Sequence, residues 1–252
     1  MNRVRFRATL AYDGTAYYGF QRQAAGTPTI QGAVEAALER LTGQASTVYG
    51  AGRTDAGVHA SGQVIAFDAR WRHDPQALLR ALNAHLPTDI ALQRITIAAP
   101  DFHPRFAARS RSYEYRLYTR RVRQPLWART HWQIPYPLDV RAMQQGAALL
   151  LGTRDFATFG QPPQGENTTR HVMESVVVPL AEDVLVYRVT ANAFLQRMVR
   201  AIVGTLVEVG RGAMSLDQLQ AARDAADRSL AGPSAPPHGL TLIAVRYDDD
   251  TM

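Results

Sequence analysis

The chain has 252 residues, and among them there is no cysteine and no lysine. Without thiols there is no disulfide, no thiolate metal site and no cysteine nucleophile. Without lysine there is no Schiff-base amine and no phosphate-binding P-loop lysine. All 28 basic residues are therefore arginine, set against 22 acidic residues for a formal charge of +6. Arginine forks onto phosphates and stacks on bases. A basic balance suits a polyanionic partner, because neutralising phosphates releases counterions. Apolar runs fall short of the ~20 residues needed to cross a bilayer, so no membrane association is expected. Arg3, Arg5 and Arg7 interrupt the apolar positions at the start, which argues against a signal peptide and for a cytoplasmic enzyme. The seven histidines show no metal-ligand spacing, and no metal is expected.

Hydrophobic periodicity gives the architecture. Val4 to Ala11 reads as a strand. Thr27-Pro28 opens a helix with Ile30, Val34, Leu38 and Leu41 at helical spacing and Gly43 at its end. Strands follow near Ser46–Gly50 and Gln63–Asp68. Asp74-Pro75 opens a second helix that stops at Pro87, and Ile90 to Ile97 is another strand. This β-α-β-β-α-β order is the split βαβ arrangement. The second half repeats it. Ser112–Tyr118 is a strand, and Asp139 caps a helix closed by Gly152. Strands follow at Val172–Val178 and Val184–Thr190, then a helix from after Asn192 to Val209, a short helix from Ser215 and a closing strand from Gly239 to Tyr247. The expectation is an α/β protein of α+β type: two tandem ferredoxin-like halves, residues 1–104 and 105–252, with largely antiparallel sheets.

The densest segment for chemistry is Gly50-Ala51-Gly52-Arg53-Thr54-Asp55-Ala56-Gly57-Val58-His59-Ala60. It lies between two expected strands and reads as an exposed loop. A dinucleotide-binding loop would carry glycine or alanine where Asp55 stands and lead into a helix; here a strand follows. A P-loop would carry lysine where Val58 stands. What remains is an arginine and a carboxylate two residues apart. Arg53 would favour the ionised form of Asp55, as a nucleophile or base requires. On the pattern alone, a structural Arg–Asp turn is the simpler reading.

This run, with Gln63 and Phe67 after it, resembles the signature loop of the tRNA pseudouridine synthase A family. Matching segments span nearly the whole chain in order. They include Tyr12-Asp13-Gly14-Thr15, Phe102-His103-Pro104-Arg105-Phe106, Arg111-Ser112-Tyr113-Glu114-Tyr115, Asn192-Ala193-Phe194, Met198-Val199-Arg200 and Gly239-Leu240 with Leu242. The resemblance implies a pseudouridine synthase fold and a homodimer acting on tRNA without cofactor or metal. It implies isomerisation of uridines at positions 38, 39 and 40 of the anticodon stem-loop, by cleavage of the N1–C1′ bond and rejoining at C5. It makes Asp55 the nucleophile, with Arg53 beside it. Tyr113 becomes the base-stacking tyrosine, Arg200 a basic residue able to pair with the aspartate, and Leu242 a lining of the base pocket.

The stretch from Arg105 to Arg123 holds seven arginines and several aromatics. Arg105 and Arg111 within it, with Arg22 and Arg170 elsewhere, are candidate phosphate contacts. Two other readings stay open on residues alone. A split βαβ protein can be an RNA-binding module without chemistry. A two-carboxylate glycosidase would also break a glycosidic bond, with Asp13 as the conceivable partner of Asp55.

Overall fold

The computed structural model describes residues 3–162 and 165–248. Among the described residues the secondary structure comprises ten strands, five α-helices and four short 3-10 turns. The chain divides into two compact units, residues 1–109 with 242–252, and residues 110–241. Sequence periodicity places the join at 104/105 and assigns the closing strand to the second half. From Leu242 onward that strand belongs to unit 1.

Unit 1 is built on β1 (Val4–Tyr12), α1 (Ile30–Thr42), β2 (Tyr49–Gly50), β3 (His59–Ala69), α2 (Pro75–His85) and β4 (Ile90–Ile97). β1 is central, antiparallel to both β3 and β4, and β2 is antiparallel to β3. Phe6, Ala8, Leu10 and Tyr12 alternate inward from β1, the period of two that the sequence displays. α1 and α2 cover that face with Ile30, Val34 and Leu38, and with Leu78 and Leu82, all fully buried.

The start of α1 corrects the sequence reading. Its N-cap is Thr29, whose hydroxyl accepts from the Gly32 N–H, rather than Thr27. Pro28 therefore precedes the helix, and its carbonyl accepts from the Tyr18 N–H in an extended segment. Gly43 ends the helix in the left-handed region, φ 69°, as its position suggests. The strand expected over Ser46–Gly50 shrinks to β2, while its partner β3 begins four residues earlier than expected, at His59.

Unit 2 contains β5 (Ser110–Tyr118), β6 (Trp132–Gln133), α3 (Val140–Ala148), β7 (Gly152–Asp155), β8 (Thr169–Ala181), β9 (Val184–Ala191), α4 (Met198–Gly210) and α5 (Leu216–Ala225). The strand order there is β5-β9-β8-β7 with antiparallel neighbours, and β6 adds a short parallel pair to β5. β10 (Leu240–Arg246) follows α5 and carries the chain back to unit 1. α4 is buried on nearly every side, with only Arg200 and Glu208 half-exposed, so it is the core helix of its unit. It starts five residues later than periodicity indicates. Asn192 Oδ1 accepts from the N–H of Ala193 and of His171, and Gln196 bridges to Gln161. Those bonds hold 192–197 in a non-helical turn ending at Arg197, whose φ of 63° no helix permits.

α5 carries a reciprocal capping box. The Ser215 hydroxyl accepts from the Gln218 N–H, and the Gln218 side chain accepts from the Ser215 N–H. Ser215→Ala should lower stability by about 0.5–2 kcal/mol, read as a reduced urea midpoint with an unchanged slope. An unchanged midpoint would show that Leu219, buried from the same helix, holds the element alone.

Candidate active site

The Asp55 loop leaves β2 at Gly50 and enters β3 at His59. Its backbone is pinned along its length. The Ala51 N–H donates to Val64 O at 2.8 Å, and the Gln63 amide donates to Gly52 O at 2.8 Å. Thr54 is held on both of its polar groups. Its hydroxyl lies 2.8 Å from the Tyr12 hydroxyl, and its carbonyl accepts from the Phe20 N–H at 3.0 Å. Beyond Asp55, the Gly57 N–H donates to Tyr17 O and the Val58 N–H to Asp55 O, both at 3.2 Å.

The 13–20 segment lies directly against this loop. A Cβ at Gly14 would collide with the Val58 carbonyl, and one at Gly19 would come 2.7 Å from the Thr54 carbonyl. Gly19 also sits at φ 96°, a conformation side chains disfavour. These two glycines let the backbone of the 13–20 segment press on that of the Gly50–Ala60 run. The Gly14 N–H donates to His59 Nδ1 at 3.0 Å, and Asp13 Oδ1 lies 3.1 Å from the same nitrogen. His59 is buried, so it serves the junction of the two segments. Asp13 Oδ1 accepts from the N–H and the hydroxyl of Thr15.

Burial pushes the Tyr12 hydroxyl up to about 12, so it stays protonated at neutral pH and keeps its bond to Thr54. Gln63 is fully buried, and its Oε1 is a buried acceptor with no partner. On this support Asp55 is half-buried and Arg53 exposed. A carboxylate is presented at the surface by a turn that cannot easily relax.

The remaining predicted residues divide between the units. Leu242, fully buried on β10, belongs with the Asp55 loop to unit 1. Tyr113, on β5 of unit 2, is buried and meets the edge of Phe194 at 5.0 Å with an interplanar angle of 83°. Phe194 lies in the non-helical turn before α4, so the irregularity that delays that helix supplies Tyr113 with its neighbour. Arg200, on the first turn of α4, is half-buried rather than solvated. Its Nε donates to Ala235 O at 2.7 Å, and the Ala235 N–H returns a bond to Arg200 O at 2.9 Å.

Of the candidate phosphate contacts, Arg22 is exposed and pairs with Glu35 at 2.8 Å. Arg105 is half-buried, 5.7 Å from the Phe106 ring centroid. Arg111 is buried and donates to Asn192 O at 2.8 Å. Arg170 donates through Nη1 to the carbonyls of Asn167 and Thr169, while its Nε is buried without a partner. That burial lowers the Arg170 pKa from its ordinary value. The Tyr12–Thr54 hydroxyl pair was not legible in the sequence, because the two residues stand 42 positions apart.

A family model described as tRNA pseudouridine synthase matches residues 8–107 and 147–248. The chain belongs to this family. The synthase is 44% identical over 246 residues to tRNA pseudouridine synthase A of Myxococcus xanthus, covering 97% of this chain and 92% of that protein. It is 48% identical over 244 residues to the Chloroflexus aurantiacus protein of the same name, covering 94% and 87%. A Geobacillus relative of that name is 41% identical, with 97% and 99% covered. Membership makes the synthase an isomerase acting on tRNA uridine. Binding without chemistry and glycoside hydrolysis, the two other readings of the residues, are set aside by it.

Gly19→Ala should leave the synthase folded but lower its turnover, because the added methyl drives the Thr54 peptide away from its bond to Phe20. Circular dichroism and initial rates on a tRNA transcript measure the two effects. Wild-type turnover in the variant would show that the clamp is not needed.

Proposed function

We propose that the synthase converts uridine to pseudouridine at positions 38, 39 and 40 of the tRNA anticodon stem-loop, with the Asp55 carboxylate carrying the chemistry. The observation supporting this most directly is the presentation of Asp55 on a clamped, partly exposed turn between β2 and β3. A side chain whose backbone is already fixed loses little entropy in reaching its reactive position.

The reaction breaks the N1–C1′ bond, turns the base and forms a C5–C1′ bond. The hydrogen on C5 is lost and N1 regains one, so atoms balance without release of base or sugar. No thiolate can add to the base in a chain without cysteine, and a carboxylate route is consistent with that. The proposed role of Tyr113 is to stack on the extruded uracil. Such a surface is worth roughly 1–3 kcal/mol per base, and the edge contact with Phe194 fixes the ring. Arg200 is proposed as the cation that pairs with Asp55. Arg53 is proposed to act beside Asp55, and Leu242 to line the base pocket. For phosphate contact, exposure favours Arg22 over Arg105, Arg111 and Arg170. Two copies of the chain are proposed to build the RNA groove in the cytoplasm.

Asp55→Asn keeps the size of the side chain and removes its charge. It should retain the fold while lowering pseudouridine formation by roughly a thousandfold or more, the scale on which loss of a catalytic side chain acts. Retained conversion would remove Asp55 from the mechanism. Tyr113→Leu should likewise abolish turnover with the fold intact, and near-normal rates would refute the stacking role.

A further inference from the structure

Unit 1 carries a second aromatic feature outside the Asp55 loop. The rings of Tyr49, His103 and Phe106 form a tilted ladder, with centroids 5.3 Å apart and planes at 55° for the first pair, and 4.4 Å and 34° for the second. Phe106, at its outer end, is 76% exposed. A phenyl ring left this bare is not a core residue, and its segment prevents it from folding inward. The His103–Ala107 turn is closed by the Ala107 N–H donating to His103 O at 3.0 Å, and the Arg105 N–H donates to His103 Nδ1 at 3.2 Å. On the inner side, the buried Tyr247 hydroxyl donates to Pro104 O at 2.8 Å, and its ring packs on Phe102 at 5.5 Å. The anchored residues alternate with the presented ones.

Cations flank the ladder. Arg5 lies 5.5 Å from the Tyr49 ring centroid and Arg105 lies 5.7 Å from that of Phe106. Burial, then the charges of Arg5 and Arg105, hold the His103 pKa below its usual value, so the middle ring is a neutral aromatic at physiological pH. The exposed Phe106 ring beside the Arg105 guanidinium matches a nucleobase with its phosphate. Arg5 is taken up by Asp68 and the Phe102 carbonyl and only steadies the foot of the ladder. The foot of the ladder is Tyr49 of β2, one residue before Gly50 opens the Asp55 loop, so the two features share a strand.

We propose that Tyr49, His103 and Phe106 form a stacking platform for an unpaired base of the tRNA, other than the uridine being isomerised. This rests on tRNA being the substrate. The platform holds the RNA and takes no part in bond breaking, so its loss acts on binding and leaves chemistry alone.

The test is Phe106→Ala beside Phe106→Trp in the full chain, with an unmodified tRNA transcript as probe. Because Phe106 is exposed, neither variant endangers folding. The alanine variant should bind the transcript about five- to a hundredfold more weakly, the range that loss of one base stack gives. Its KM should rise correspondingly while kcat at saturating tRNA stays at the wild-type value. The tryptophan variant should restore affinity. Wild-type affinity in the alanine variant would overturn the platform. So would unchanged tRNA affinity accompanied by a lower sedimentation mass, which would make this face a contact between copies of the chain. Absence of pseudouridine in the wild-type control would instead overturn the reading of tRNA isomerisation, so the two failures are distinct.

Discussion

The structure of the Asp55 loop depends on how Thr54 is gripped. Its hydroxyl meets Tyr12, its carbonyl meets the Phe20 N–H, and Gly19 lies against the same carbonyl. Tyr12 is the last residue of β1, paired with both β3 and β4, so the grip ties the loop to the centre of the unit 1 strands. A buried hydroxyl pair of this kind costs more to leave unmade than it contributes when formed. The grip is therefore hard to release in part: loosening Thr54 would strand two polar groups in the core. Asp55, the next residue, inherits a fixed backbone while its own side chain remains half-exposed.

A second constraint concerns charge. The chain has arginine alone as its strong cation, and several arginines are paired with carboxylates of the protein itself. Arg5 forks onto Asp68, Arg223 is buried against Asp224 and Leu149 O, and Arg188 and Arg116 share the carboxylate of Glu114. These planar groups can bridge a carboxylate and a carbonyl simultaneously, which a lysine ammonium does less well. The formal charge of +6 already sets these carboxylates against their arginines. What counts is which guanidinium groups keep donors turned outward.

Much of this was legible in the sequence. The strands Ile90–Ile97 and Val184–Ala191 and the helices capped by Asp74 and Asp139 follow from alternation, cap chemistry and proline placement. The loop bearing Asp55 was legible from its glycines and the strands around it. Other features were set by contacts between distant segments. Thr29 rather than Thr27 caps α1 because the 18–20 segment bonds across residues 28–31. Asn192 looked like a helix start, yet its side chain serves His171 on a neighbouring strand, and α4 begins only after Arg197. The Tyr12–Thr54 pair and the exposed face of Phe106 carry no local signal, since alternation marks Tyr12 simply as core and a motif does not report exposure.

The account stands on uridine isomerisation at defined positions of one RNA stem-loop. Its most direct measurement is to incubate the purified synthase with unmodified tRNA transcripts and map pseudouridine nucleotide by nucleotide. The account predicts new pseudouridine confined to positions 38–40, with no free uracil in the supernatant. Modification confined to another arm of the tRNA, or uracil released from the chain, would contradict it.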